Sequence, residues 1–209
     1  GIKCRVRRPI MRIKAQSQDI LLFWFGDDPA QPLKNKALWF QKDPTFDMLV
    51  RETFEWILLE ALEGNLTSWR ETPKSCLAYI ILLDQFTRNI YRDTPQAFAQ
   101  DACALAATKE ALDKGFDQRL TTVERSMLYM PFMHSEDLVD QERGIQLFEK
   151  LAADAEEALK AGMQMNLDYM IEHADIIKRF GRFPHRNVIL GRQSTEEELI
   201  FLKMPNASF

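Results

Sequence analysis

Three dipeptides, Asp43-Pro44, Thr72-Pro73 and Thr94-Pro95, each set a capping residue directly before a proline. This punctuation constrains the fold more than anything else in the chain. The oxygen of the first residue can accept an orphan backbone N–H, and proline at the first helical position gives up no hydrogen bond. The spacing predicts helices over about 44–63, 73–92 and 95–114, with Gly64 and Gly115 as left-handed stops. Thr121 or Thr122 opens a helix over about 122–133, and Pro131 within it should kink or interrupt it. Ser135 opens a long helix to about 161, stopped by Gly162, and one over about 167–180 closes at Gly181. Ser194 with Glu197 makes a capping box for a last helix over about 195–203. At the front, DILLFWFG (Asp19 to Gly26) reads as a helix ended by glycine, and DDPAQPLK as a loop. No stretch alternates apolar and polar residues as a strand does, and hairpin turns are missing.

The expectation is therefore an all-α protein of antiparallel helix pairs joined by short links, as a bundle or a helix-pair solenoid. The capping prolines stand 29 and then 22 residues apart, so a solenoid of the tetratricopeptide kind would have to be degenerate. With 209 residues, 46% hydrophobic and 28% charged, the chain can hold a core without disulfides or metals. It divides into a basic arm or extension over residues 1–18 and a single helical domain over 19–209.

Six basic residues, Lys3, Arg5, Arg7, Arg8, Arg12 and Lys14, precede the first acid, Asp19. Taking those six from 27 leaves 21 basic against 31 acidic residues, a body at −10 inside a chain at −4. Such a body argues against general nucleic-acid binding, which needs a broad basic face. The arm reads as an added extension, a view that Gly1 and the internal Met11 support. Cys4, Cys76 and Cys103 form no paired spacing and suit a reducing cytoplasm, where the chain is expected to reside. The longest apolar run, Cys76 to Leu83, is too short to span a bilayer.

Three polar stretches stand out against this helical grammar. In LLDQFTRNIYRDTPQAF, Asp84, Arg88 and Arg92 recur at four-residue steps with Gln85 and Asn89 beside them. They read either as an acid-to-base ladder on one helix face or as forked donors for an anion. In LYMPFMHSEDLVDQE, Ser135 caps the next helix and Glu136 and Asp137 suit its first turn, which leaves His134 unexplained. In MIEHADIIKRFGRFPHRNVILGR, His173 lies on an apolar face and reads more simply as a core residue. Residues Arg179 to Pro184 stop a helix, with Arg182 able to serve either role, whereas His185, Arg186, Asn187 and Arg192 are not needed for the stop.

LDQFTRN, TPQAFA, PFMHSED and RFGRFPHRN, then LGR, in that order, are similar to the blocks of a widespread family known as a domain of unknown function, DUF924. The resemblance covers about residues 19–203. It implies an all-helical, tetratricopeptide-like fold and supplies no reaction. Thr87 stands where the family often has proline, which should leave the helix straighter.

Three functional classes fit these residues. The first is a binding module that gathers Arg88, Arg92, Arg182, His185, Arg186 and Arg192 around an anionic small molecule or a carboxylate-bearing peptide. Asp84, Asn89, Glu136, Asp137, His173 and Asn187 complete that candidate set. The second is a hydrolase in which His134 and His185 supply acid–base groups and Glu136 or Asp137 orients one imidazole. A metal-assisted version would use His134, Asp137, His173 and His185, although their spacing matches no ligand motif. The third is a scaffold whose arginines lock helices by pairing with Glu136, Asp137 or Glu196 to Glu198. No cofactor fingerprint is present, no residue is assigned to a metal, and a homodimer is left open.

Overall fold

The computed structural model describes residues 16–209, and among them there is no strand. All of the basic arm before Gln16, with Cys4, lies outside the described residues. The helices are α1 (Ser17–Phe25), α2 (Lys36–Phe40), α3 (Pro44–Leu62), α4 (Pro73–Ile81), α5 (Thr87–Ile90), α6 (Asp101–Asp113), α7 (Thr122–His134), α8 (Leu138–Asp154), α9 (Glu157–Phe180), α10 (Asn187–Leu190) and α11 (Glu196–Leu202). A π-helical turn, Leu82–Phe86, joins α4 to α5 without a break. No helix among the described residues is long and apolar enough to cross a membrane.

The hub is α4 with its π turn. Every residue from Cys76 to Thr87 is buried, a pattern that only a helix covered on all sides can carry. Helices α1, α6 and α7 pack around α4, and α3 packs on the π turn and α5. A wide turn adds one residue to the helix and rotates all later residues of that helix by about 100°. Phe86 thereby enters an aromatic cluster, 4.9 Å from Phe54 and 5.6 Å from Trp24, while Asp84 faces α7. Trp24 stacks on Trp39, whose indole N–H donates to the Trp24 carbonyl at 2.9 Å.

The capping grammar holds at Asp43, whose carboxylate accepts from the N–H groups of Thr45 and Phe46. It fails at Thr72 and Thr94, whose hydroxyls turn to Ser75 and to the Tyr91 carbonyl instead. After Thr94 only a short 3-10 turn, Pro95–Ala97, forms before α6 starts at Asp101. Two caps are shifted by one or two residues. Asp137, not Ser135, caps α8, and Thr195 with Glu198, not Ser194 with Glu197, makes the last capping box.

Gly162 does not stop a helix. The break falls earlier, at the extended Ala155 and Glu156, and α9 runs through Gly162. Its missing side chain lets Leu33 approach, since a Cβ there would meet Leu33 Cδ1 at 3.1 Å. Pro131 does not interrupt α7 either. It stands in the last turn, where one backbone bond is lost and the buried run Val123 to Met133, broken only at Arg125, holds the helix in place. Gly64, Gly115 and Gly181 do adopt left-handed conformations at helix ends.

Helices α8 and α9 form a tight antiparallel pair. A Cβ on Gly144 would stand 2.8 Å from Met170 Sδ and 3.0 Å from Phe132 Cβ. Gly144→Ala is accordingly expected to destabilise the fold by about 1–3 kcal/mol in urea denaturation, because one of its neighbours is a β-carbon that cannot swing aside. An unchanged midpoint would show that the α8–α9 spacing yields freely.

Candidate functional site

The last turn of α7 positions His134. Gln141, fully buried on α8, aims its amide nitrogen at the carbonyls of Phe132, Met133 and Ser135, at 2.7 to 3.2 Å. The end of α7 is thus capped by a side chain, and His134 is fixed where it faces the π turn. His134 Nδ1 lies 2.7 Å from Asp84 Oδ1. Asp84 is 1% exposed, and its second oxygen accepts from Gln85 Nε2 at 2.8 Å. Burial alone would raise its pKa, but the charges of His134 and Arg88 outweigh that and hold it below the ordinary carboxylate value. An ionised Asp84 makes Nδ1 the donor and leaves His134 Nε2 free. That nitrogen has no hydrogen-bond partner among the described residues and is not enclosed.

Of the four-step ladder of Asp84, Arg88 and Arg92, only the first rung forms, as a long ion pair. Arg88 Nη1 donates to the Asp84 carbonyl at 2.7 Å but stays 3.7 Å from its carboxylate. Its forked partner is Asp101, at the start of α6, at 2.7 and 2.9 Å. Arg92 instead grips Asp47 of α3 with two bonds, and Asn89 donates to the same carboxylate.

Arg186 closes the cluster from the 3-10 turn Pro184–Arg186. Its guanidinium lies 4.4 Å from the Phe98 ring centre and 4.7 Å from that of Phe183. It donates to the His134 carbonyl at 3.1 Å, and its nearest carboxylate oxygen, on Asp101, is 3.7 Å away. Its Nε is enclosed without a partner. Burial, together with the repulsion of Arg88, pushes its pKa down to about 10.

His173 of α9 is buried and donates Nδ1–H to the Tyr169 carbonyl at 2.6 Å. Burial pushes its pKa down to about 3, and burial with the nearby Arg186 pushes that of His185 to about 4. Both rings are neutral at neutral pH. The rings of His134 and His173 are centred 6.5 Å apart, and Phe183 and Phe209 fill the space between His173 and His185.

A second set of polar contacts borders this cluster. Glu136 pairs with Arg192 at 2.8 and 3.2 Å and accepts the Phe183 N–H at 2.6 Å, which holds its pKa low despite burial. Arg182 forks onto Glu198, and Asn187 joins Glu198 and Arg192. Asp137 caps α8 through the Val139 N–H.

The structure thus brings together Asp84, Arg88, His134, His173, His185 and Arg186. Glu136, Asn187 and Arg192 stand beside them. Arg92 and Asn89 turn to α3, and Arg182 to α11. The sequence did not single out Asp101, Phe98 and Phe209. Asp101 reads as an ordinary acid within the helix expected over about 95–114, and nothing near Phe209 marks it. The metal-assisted arrangement of His134, Asp137, His173 and His185 is not formed, because Asp137 is a helix cap and the rings of Phe183 and Phe209 pack against His173 and His185. Among the described residues no group of three His, Cys, Asp or Glu side chains converges as metal ligands. A shallow groove of about 460 Å³ between α8 and α9, beside Glu149 and Lys160, contains no histidine or arginine.

A family model described as a bacterial protein of unknown function, DUF924, matches residues 20–206. The chain belongs to this family. A solved structure, that of the protein of unknown function ATU0120 from Agrobacterium tumefaciens, is similar over 90% of this chain and 96% of its own, at 36% identity and a TM-score of 0.76. A comparison with curated proteins gives no match. Membership in DUF924 brings no reaction with it, so function rests on the site.

Proposed function

We propose that the protein binds a small anionic molecule, or a peptide through its carboxylate, between Arg186 and the Asp84–His134 pair. The observation that carries this reading is the difference among the arginines. Arg88, Arg92, Arg182 and Arg192 each hold a carboxylate with two bonds. Arg186 holds none within hydrogen-bond distance, although it is 6% exposed and pressed between two rings. An arriving anion would find a guanidinium that holds no carboxylate by hydrogen bonds and is largely screened from solvent. Asp84, Asp101 and Glu136 balance Arg88, Arg186 and Arg192, so the site suits a single negative charge better than a polyphosphate. The fully paired arginines take the helix-locking part of the scaffold reading, and successive contacts of α6, α7, α8 and α9 support a degenerate tetratricopeptide-like stack.

Phosphate added at about a hundred times its Kd should raise stability by about 2.7 kcal/mol, read as a thermal shift. Arg186→Ala should abolish that response. Arg92→Ala should lower the starting Tm and leave the response in place. A wild-type protein that ignores phosphate, or an Arg186→Ala variant that still responds, sinks the proposal.

One observation favours a second reading, hydrolysis. Asp84 takes Nδ1 of His134 and leaves its Nε2 without a partner and not enclosed, the arrangement a general base uses to deprotonate water. His185 has its Nδ1 enclosed without a partner and supports this role less well. Turnover of aryl esters or phosphoesters should then fall by about 10²–10⁴ in His134→Gln. Turnover that survives the substitution removes this reading.

A further inference from the structure

The imidazole of His173 is covered by a ring distant in sequence, that of Phe209. Phe209 lies on it with ring centres 3.7 Å apart and planes 22° from parallel. Phe183 and His185 meet the Phe209 ring edge-on, at 6.5 and 5.7 Å. His173, Phe183 and His185 form a box with a flat floor and two walls, the shape that stacked and edge-to-face aromatic contacts favour.

Little else holds the occupant there. Phe209 is 42% exposed, and neither it nor Ser208 is hydrogen-bonded to another described residue. Of the segment 203–209 only Ala207 is buried. Asn206, in a left-handed conformation at φ 64°, turns the chain back toward the box. Phe183 is the shared wall. It borders both the Arg186 guanidinium, at 4.7 Å, and the ring of Phe209, at 6.5 Å. Arg186, which has no carboxylate within hydrogen-bond distance, and the box thus share one wall.

We propose that the box is a ring-binding subsite, that the ligand of this protein is an aryl anion whose ring lies on His173 while its charge meets Arg186, and that Phe209 is a stand-in displaced when it binds. The inference rests on the anion reading of Arg186 and adds the ligand's second half. An aromatic cage for a cation is disfavoured here, because Arg186 stands over its wall. A self-occupied site binds its ligand more weakly by the fraction of time it is open, so removing the stand-in tightens binding.

Calorimetric titration with phenylpropionate, cyclohexylpropionate and phosphate, on the full chain and on Phe209→Ala, tests this. Phenylpropionate should bind Phe209→Ala at least about fivefold more tightly than wild type, and should shift the His173 ring signals in NMR spectra. Within the variant it should outbind cyclohexylpropionate by at least about threefold, since the saturated ring has the same charge but no aromatic face. Phosphate has no ring and should gain less than about twofold. Equal binding of the two propionates, or no gain on removing Phe209, overturns the inference while phosphate binding keeps the Arg186 reading alive. Failure of all three to bind either chain overturns both. Tighter binding of phenyltrimethylammonium than of phenylpropionate would make the box a cation cage and overturn it as well.

Discussion

Asp84→Ala is expected to cost about 3–5 kcal/mol of folding stability, the effect of removing one partner from a buried charge network. The size reflects where the carboxylate sits. Asp84 is covered on the hub helix, receives His134 Nδ1 at 2.7 Å and Gln85 Nε2 at 2.8 Å, and stands 3.7 Å from Arg88. Alanine leaves an imidazole and an amide without acceptors in a place water does not easily reach. Arg88 retains Asp101, so the loss falls mainly on His134. Asp84→Asn keeps the shape and should cost less, although its uncharged oxygen is a weaker acceptor. Urea denaturation of both variants at neutral pH checks this, with an unchanged m-value taken as the sign that the native fold is kept. A loss below about 1 kcal/mol for the alanine variant would mean that the network contributes no more than an exposed pair.

How far the sequence reveals this arrangement can be judged residue by residue. Pro44 after Asp43 announces α3 because a cap and its helix are neighbours in sequence and need no partner elsewhere. Gly181 likewise marks the end of α9. Gly162 misleads, because glycine serves two purposes. It permits a left-handed stop, and it also permits close approach, and only Leu33, far away in sequence, decides between them. The π turn leaves no trace in LLDQF, since it forms to seat Phe86 against Trp24 and Phe54 and to face Asp84 toward His134.

The candidate residues were legible as types and not as roles. His134, His185 and Arg186 stand out because helix grammar leaves them over. Which arginine lacks a forked carboxylate cannot be read from RFGRFPHRNVILGR, because Arg182 and Arg192 are paired with Glu198 and Glu136 from other parts of the chain, whereas Arg186 has only Asp101, at 3.7 Å. Histidines of similar appearance also divide by their neighbours. His134 lies against a carboxylate, whereas His173 and His185 lie among rings. Phe209 contributes to the site from outside every motif.

That division among the histidines has a consequence for acid stability. His173 and His185 have folded pKa values pushed down to about 3 and about 4, against 6.5 for an ordinary histidine, and burial is the leading cause for both. Below pH 6.5 the unfolded chain takes up protons that the folded chain refuses, so stability is full above that pH and falls as acid is added. At roughly 1.4 kcal/mol per unit, the two together should remove on the order of 3–6 kcal/mol by about pH 4. The carboxylates act in the same direction but later. Asp84 and Glu136, whose folded pKa values are lowered, keep their contribution until pH falls below their ordinary values of 3.8 and 4.5. The window from pH 6.5 to 4.5 therefore belongs to the histidines. His173→Phe keeps an aromatic floor beneath Phe209, removes the titration, and should flatten the slope of unfolding free energy against pH in that window by about half. An undiminished slope in urea denaturation series at several pH values would show that His173 takes up its proton in the folded chain, with Arg186 and His134 moving to accommodate it.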